Sequence, residues 1–170
     1  MKCWKWRLSN INAMKITLLV IGKTLTDYLK VGEEEYLKRL KFYGNINYCT
    51  IPALKNAKSL TEEQQKAEEA KLFLSKIELS DFCVLLDGKG KGYTSEEFAD
   101  FLNGKMMSGV KNLVFIVGGA FGFSESMYQR ANYKLSLSKM TFSHQMVRFV
   151  FMEQLYRAFT ILKGEPYHHR

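Results

Sequence analysis

The sequence predicts an α/β fold built on a mostly parallel sheet, and two observations lead to this prediction. Short runs that are apolar without interruption, such as KITLLVI at 15–21, are typical of strands buried on both faces. Between these runs stand longer segments that begin at helix-capping residues. Strands that alternate with helices in this way favour a parallel sheet covered by helices.

The first third of the chain predicts two strands, each followed by a helix. The strand at 15–21 leads to Asp27, where Thr26 and Asp27 offer caps for a helix that runs to about Tyr43. INYCTI at 46–51 is the second strand, and a polar helix follows it to about Leu79. The start of that helix offers two overlapping capping boxes, Ser59 with Glu62 and Thr61 with Gln64.

The alternation continues in the middle of the chain. FCVLLD at 82–87 is a third buried strand, followed by a glycine-rich loop. Thr94 and Glu97 then form a capping box for a helix to about Met107. LVFIV at 113–117 is the fourth strand.

The chain closes with a short helix, a short strand and a long helix. Ser124 can cap the short helix, and KLSLS at 134–138 is a fifth strand candidate. The long helix runs from about His144 to Lys163, with Gly164 at its end. It is apolar on almost every side, and one sheet would cover only one side of it in a monomer. We therefore expect self-association through this helix.

The charge of the chain is basic and concentrated at its ends. Of the formal net charge of +8, residues 1–13 contribute +3 and residues 124–170 contribute +4. Modest basicity also aids solubility, but basic ends are where a polyanion would bind. This distribution favours a nucleic-acid partner.

Length and cysteine usage indicate one cytoplasmic domain without a metal. The 170 residues fit a single domain at 14–170. Residues 1–13 are a leader of unknown role, which would be absent if translation starts at Met14. Cys3, Cys49 and Cys83 show no CxxC spacing and only three histidines are present, so reduced thiols are expected rather than a zinc site. No apolar run approaches the roughly 20 residues of a membrane span.

The run VFIVGGAFGFS at 114–124 is a strand that breaks into a glycine turn, an arrangement that often holds a nucleotide. Gly118, Gly119 and Gly122 fit a dinucleotide fingerprint poorly, because the turn follows the fourth strand and no acid lies about 20 residues beyond it. A tight turn alone would need only one glycine. We expect a bulky ligand to approach this backbone.

Two other segments stand at the ends of predicted strands, DGKGKGYTSEEF at 87–98 and SLSKMTFSHQ at 136–145. The first lacks the GxxxxGK[ST] pattern of a phosphate loop and is, taken alone, a flexible basic loop. Because open α/β sheets bind ligands at the carboxyl ends of their strands, we expect the three loops to converge on one site.

In the C-terminal segment GEPYHHR at 164–170, the last four residues follow a helix-ending glycine and a proline and have no core to fill. One interpretation is a frayed terminus. Tyrosine, histidine and arginine together are also suited to stacking a base, moving a proton and holding a phosphate. On the last helix, Glu153 and Arg157 are four residues apart, which predicts a surface ion pair. His144, taken alone, is more typical of a cap or packing residue.

Taken together, these segments resemble the SPOUT-class methyltransferases that modify N3 of a pseudouridine in bacterial large-subunit ribosomal RNA. The resemblance extends from Met14 to about His169 and lies in MKITLLVIGK, LLDGKGKGYTSEEFA, FIVGGAFGFS and LSLSKMTFSHQMVRFVFMEQLYRAFTILKGEPYHH. It implies a Rossmann-like sheet with a deep C-terminal trefoil knot, a homodimer, and S-adenosylmethionine held in the knotted loops. It also implies ribosomal RNA as the substrate, and an assembled ribosome suits so small a protein better than free RNA.

The resemblance also implies which residues contact the cofactor. Ser143 stands where the family usually has proline, which affects only the rigidity of the turn before the last helix. The implied contacts are Leu86, Gly118, Leu137, Ser138, Lys139, Met140, Thr141 and Phe142.

Methylation of an imide nitrogen requires that its proton be removed, so a base or a cation should lie near the acceptor. Our candidates are His168 and Tyr167 for the proton, with Arg148 and Arg157 holding a phosphate or other anion. Glu153 would orient Arg157. If the last helix forms a dimer interface, the tail of one subunit could complete the site of the other.

Two other functions stay open at this point. One is a ribosome-associated RNA-binding protein of the same fold that has lost catalysis, which failure to bind S-adenosylmethionine would favour. The other is a dinucleotide-dependent oxidoreductase, which the position of the glycine turn and the missing acid disfavour.

Overall fold

The computed structural model describes residues 14–168, and within this range the predicted alternation of strands and helices is confirmed. The strands are β1 (Lys15–Ile21), β2 (Asn45–Ile51), β3 (Phe82–Gly92), β4 (Asn112–Val117) and β5 (Tyr133–Ser136). The helices are α1 (Asp27–Leu40), α2 (Glu62–Leu74), α3 (Ser95–Met107), α4 (Glu125–Arg130) and α5 (Met146–Lys163). Short 3-10 helices cover Lys41–Tyr43 and Ala57–Ser59. The predicted leader at 1–13 lies outside the described residues.

All five strands lie in one sheet in the order β2-β1-β4-β3-β5, and every pairing is parallel. Because successive side chains of a strand point to opposite faces, the apolar strands feed two cores. Leu18 and Phe115 pack on one face with α1, α3 and α5, whereas Leu19 and Ile116 pack on the other face with α2 and α4. The predicted α/β fold with a mostly parallel sheet is therefore confirmed. The trefoil knot stays a prediction.

The last helix lies between two others, which corrects the reason we gave for self-association. α5 contacts both α1 and α3 on one face of the sheet. Phe151, Leu155 and Phe159 are buried within the single chain, and every residue of α5 is at least partly buried. The expectation that a monomer could cover only one side of α5 was wrong, because the sheet and two helices cover it together. The burial of α5 therefore gives no reason to expect self-association.

The start and end of α2 show how local hydrogen bonds set the boundaries of an element. Of the two predicted capping boxes, the one between Thr61 and Gln64 forms, with both reciprocal bonds at 2.9 and 3.2 Å. Ser59 instead belongs to the preceding 3-10 helix and donates to the carbonyl of Asn56. α2 ends at Leu74 rather than near Leu79. β5 is likewise shorter than predicted, since it ends at Ser136.

Candidate active site

Three segments meet at one cavity of about 890 Å³. They are the part of β3 where its apolar run ends, the loop after β4 and the loop after β5. This volume is in the range of about 300–1,000 Å³ that small-molecule sites occupy. The cavity is lined mainly by residues 86–89, 117–125 and 136–144, together with Glu63, Lys66, Tyr128 and Val147. The three predicted segments do line one cavity, but the first contributes residues 86–89 of β3 rather than a loop. The lining includes every residue for which a cofactor contact was predicted.

The glycine turn, residues 118–122, folds back tightly on itself at the end of β4. The amide of Gly122 donates to the carbonyl of Gly119 at 3.2 Å, and Gly122 has a positive φ of 80°. A Cβ atom on Gly118 would lie 3.0 Å from the carbonyl oxygen of Gly122, which is closer than side chains normally pack. Two of the glycines are therefore required by the turn, and the backbone is left bare along the cavity.

The segment DGKGKG at 87–92 continues β3, so the predicted flexible loop is wrong. The pairing of β3 with β5 shifts between Leu86 and Lys91, and the intervening residues bulge out of the ladder. A Cβ atom on Gly90 would lie 2.5 Å from the backbone nitrogen of Leu135, so only glycine permits this approach of the two strands. The bulge starts at Asp87, which lines the cavity.

Asp87 is a polar group of the cavity that the sequence analysis did not identify. Its carboxylate accepts hydrogen bonds from the hydroxyl of Tyr128 and from the amide of Lys89, the latter at 2.7 Å. Burial and this bond to Asp87 raise the pKa of Tyr128 to about 12, so Tyr128 stays protonated and donates. The signal that could have identified Asp87 was an acidic residue placed directly after a buried strand.

The third loop, residues 137–145, is shaped by its own hydrogen bonds and tied to the segment after β1. The Ser138 hydroxyl accepts from the amide of Met140 at 2.9 Å. The Gln145 side chain accepts from the amides of Leu25 and Thr26 at 2.8 and 3.3 Å. His144 lines the cavity, and burial together with the charge of Arg148 lowers its pKa, so its imidazole is neutral near pH 7.

The position of Arg148 does not fit the predicted role of a phosphate or anion holder. Its side chain is fully buried on the first turn of α5. The guanidinium donates to the carbonyls of Ile21 and Gly22 at 2.6 and 2.9 Å, and to the hydroxyl of Thr24 at 3.3 Å. Arg148 therefore ties the helix that follows the third loop to the end of β1.

Arg157, Glu153 and Tyr167 form one hydrogen-bonded group. The predicted ion pair is present, with Arg157 Nη2 2.6 Å from Glu153 Oε1, although both side chains are mostly buried rather than on the surface. The Tyr167 hydroxyl lies 3.2 Å from the same carboxylate oxygen and 3.1 Å from the hydroxyl of Tyr36. Burial, followed by the bond to Tyr36, raises the pKa of Tyr167, which disfavours Tyr167 as a proton acceptor.

His168 lies against the start of α3, with Nε2 3.0 Å from Glu96 Oε1. Its Nδ1 atom is buried and has no hydrogen-bond partner among residues 14–168. The cavity lining includes none of Arg157, Tyr167 or His168. The structure thus brings the predicted cofactor residues together and leaves the predicted catalytic residues apart from them within one chain.

Neither a membrane-spanning helix nor a cluster of metal ligands is present in residues 14–168. None of the helices in this range is long and apolar enough to cross a membrane. In the same range, no three histidine, cysteine, aspartate or glutamate side chains come together as possible metal ligands.

Known proteins match the chain over nearly its whole length. The family model described as "Predicted SPOUT methyltransferase" matches residues 14–168. Relatives named "Ribosomal RNA large subunit methyltransferase H" in Christiangramia forsetii and Flavobacterium johnsoniae are 54% and 53% identical over 157 residues, which is 92% of this chain and 100% of each relative. The relative of that name in Parabacteroides distasonis is 53% identical over 156 residues, 92% of this chain and 99% of its own length.

A solved methyltransferase of Legionella pneumophila with bound S-adenosylmethionine covers 89% of this chain and 66% of its own, at 12% identity and a TM-score of 0.41. At this low similarity, nothing about the site of this chain follows from that structure. The family model and the relatives suffice: the chain belongs to the SPOUT methyltransferase family.

Proposed function

We propose that this chain is an S-adenosylmethionine-dependent methyltransferase that acts on large-subunit ribosomal RNA in the cytoplasm, with N3 of a pseudouridine as the acceptor. The observation that carries the proposal is the convergence of the three predicted segments on one cavity in a chain of this family. The name of the relatives supports the class of RNA. The acceptor atom rests on the sequence resemblance alone.

The cavity is suited to S-adenosylmethionine in size and in the character of its lining. The bare backbone at Gly118 and Gly119 lets a flat ring system lie directly against the end of β4. Leu86 and the run 137–142 line the same space from the two neighbouring strand ends. Asp87 adds a carboxylate that can accept hydrogen bonds from ribose hydroxyls. When bound, the cofactor supplies an electrophilic methyl group on a positively charged sulfur.

The residues of the chain must then position the uracil ring and take up its N3 proton. We infer that His168 is the proton acceptor, because Glu96 holds its ring in place at Nε2. Its unpaired Nδ1, buried within the single chain, would have to become accessible when the substrate binds. Arg157, fixed by Glu153, supplies a cation beside the tail. Tyr167 serves as a hydrogen-bond donor.

We further infer that these residues act on the cavity of a second copy in a homodimer. They lie on a face formed by α1, α3 and α5, and the cavity lining of their own chain does not include them. A shared site between two subunits would bring the tail and the cofactor loops together.

The test is methyl transfer to ribosomes from a strain that lacks the endogenous enzyme. Labelled S-adenosylmethionine should label one large-subunit RNA nucleotide, which nucleoside mass spectrometry should identify as a methylated pseudouridine. Ribosome binding without methyl transfer would contradict the proposal and favour an RNA-binding protein without catalysis.

One glycine variant tests the cofactor site, and a second serves as its control. Gly118→Val should abolish binding of S-adenosylmethionine, measured by calorimetry, because even a Cβ there crowds the carbonyl of Gly122. Gly104→Ala on α3 should bind normally, since nothing lies within 4 Å of its added Cβ atom. Normal binding by Gly118→Val would remove the glycine turn from the cofactor site.

A further inference from the structure

A buried carboxylate packs against the glycine turn from behind. Glu69 lies on α2 and is 6% exposed. A Cβ atom on Gly119 would lie 2.5 Å from Oε1 of Glu69 and still closer to Oε2. The carboxylate therefore rests directly on the backbone of a residue that lines the cavity.

No cation of the described chain pairs with this carboxylate. Its hydrogen bond within residues 14–168 comes from the neutral amide of Gln65, at 2.9 Å. Lys66, which lines the cavity from the same helix, is paired with Glu63. Arg148 is engaged with the carbonyls of β1 and its connection.

His144, which lines the cavity, is a titratable group that interacts with Glu69. The Glu69 charge acts to raise the pKa of His144, but burial and Arg148 outweigh it and leave the pKa lowered. The imidazole therefore stays neutral near pH 7 and does not balance the carboxylate. The Glu69 carboxylate thus lies directly behind Gly119 and forms no ion pair within residues 14–168.

Burying a charge without a partner costs stability, so a ligand that supplies the opposite charge gains from meeting it. The sulfur of S-adenosylmethionine is positively charged, whereas the sulfur of its demethylated product, S-adenosylhomocysteine, is neutral. We propose that Glu69 determines specificity by favouring the charged cofactor over the neutral product across the bare backbone of Gly119. This inference rests on the proposed function for the identity of the ligand.

The attraction between Glu69 and the sulfur acts on the bound cofactor before the reaction. This determines which kinetic constants Glu69 should affect. Methyl transfer removes the positive charge from sulfur, so stabilisation by Glu69 weakens on the way to the transition state. Glu69 should therefore lower the Kd and KM for S-adenosylmethionine without increasing kcat. Its benefit is that spent cofactor is exchanged for fresh cofactor more readily.

The experiment measures binding of both ligands by calorimetry to wild type and to Glu69→Gln, which keeps the shape and the acceptor for Gln65. We expect Kd for S-adenosylmethionine to rise roughly tenfold, the size of effect expected when one attraction between unit charges is lost at an effective dielectric constant near 20. Kd for S-adenosylhomocysteine should change less than about twofold, and kcat should not fall. Glu69→Asp should keep the preference, because it keeps the charge.

The preference is the ratio of the two Kd values. A variant that merely distorts the cavity weakens both ligands alike and leaves this ratio unchanged. Glu68→Gln is the matched control, since it removes a charge from the exposed side of the same helix, where Glu68 pairs with Lys71. Equal weakening of both ligands by Glu69→Gln would overturn the proposal and leave a packing role. Unchanged binding of both would overturn it as well. If wild type binds neither ligand, the proposed function itself fails, and the inference with it.

Discussion

At Gly119, an added side chain would force the neighbouring carboxylate of Glu69 to move. The Cβ atom of any other residue would overlap the carboxylate of Glu69, which is held in turn by Gln65. Since the clashing atoms are the end of a flexible side chain that can move aside, Gly119→Ala should destabilise the protein by no more than about 1 kcal/mol. It should weaken binding of S-adenosylmethionine, because it displaces the carboxylate. Urea unfolding and calorimetry measure the two effects.

The same pair of residues allows a double-mutant cycle. Glu69→Ala makes room for the added methyl group, so in that background Gly119→Ala should cost much less than in wild type. Strictly additive free energies of unfolding would show that the two residues do not touch in the way described. Gly104→Ala, in open space on α3, serves as the control for the loss of a glycine.

At the scale of elements, a buried polar network joins α5 to β1 and α1. Arg148 on α5 donates to the hydroxyl of Thr24, and Thr24 donates to both carboxylate oxygens of Glu33 on α1, at 2.8 and 3.0 Å. Tyr48 on β2 donates to the same carboxylate at 3.2 Å. Four elements are thus tied together next to the third loop.

The pKa of Glu33 yields a prediction about pH. Burial raises this pKa above its ordinary 4.5, despite the opposing effects of Thr24, Tyr48 and Arg148. The folded state therefore binds the proton more tightly than the unfolded state, so the stability from this group is full below pH 4.5 and is lost as pH rises through the folded pKa. Glu33→Gln should become more stable relative to wild type as pH rises from about 4 to 8.

Thermal unfolding of both proteins across that pH range checks the sign. Glu35→Gln, which removes an exposed carboxylate from the same helix, should leave the pH profile nearly unchanged. A Glu33→Gln variant that loses stability relative to wild type as pH rises would contradict the prediction. It would mean that the attraction of Arg148 outweighs the cost of burial.

The helix starts that were predicted most sharply are those set by local hydrogen bonds. The capping boxes at Thr61 and Thr94 lie within four residues, so the sequence alone contains them. The extension of β3 depends on Gly90 approaching Leu135, and the role of Arg148 depends on carbonyls more than 120 residues away. Neither contact produces a periodic or local pattern in the sequence from which it could be predicted.

For the candidate site, the rule that ligands bind at strand ends was sufficient to find the loops. The family resemblance then supplied the eight cofactor candidates, all of which line one cavity. The strand-end rule could not find Glu69, which lies within a polar helix whose sequence contains several glutamates. Only the three-dimensional packing of α2 behind the glycine turn distinguishes this carboxylate from its neighbours.

At the scale of the whole molecule, the surface beside the cavity, rather than α5, is the predicted dimer interface. Leu25, Tyr28 and Val31 are 73%, 69% and 67% exposed around the start of α1. Met140 and Phe142 are 79% and 40% exposed on the third loop, which Gln145 ties to Leu25. Exposed apolar side chains grouped next to a ligand site are typical of an interface.

This surface predicts a dimer in solution. Light scattering at micromolar concentration should give twice the mass of the chain, and Val31→Glu should give the mass of one chain with methyl transfer lost. Phe42→Glu should stay dimeric, since Phe42 is also exposed but lies on the 3-10 helix after α1, away from this surface. A wild-type protein that is monomeric at this concentration would contradict the prediction.

The dimer also determines where the tail acts, and mixing two inactive subunits can show it. One subunit lacks residues 165–170 but keeps its cavity, whereas the other carries Gly118→Val and keeps its tail. If the tail of each subunit serves the cavity of its partner, a mixed dimer contains one complete site. Since random exchange makes half of all dimers mixed, about a quarter of wild-type activity should return. If instead the tail serves its own cavity, neither subunit of any dimer has both parts, and activity should stay absent at every mixing ratio.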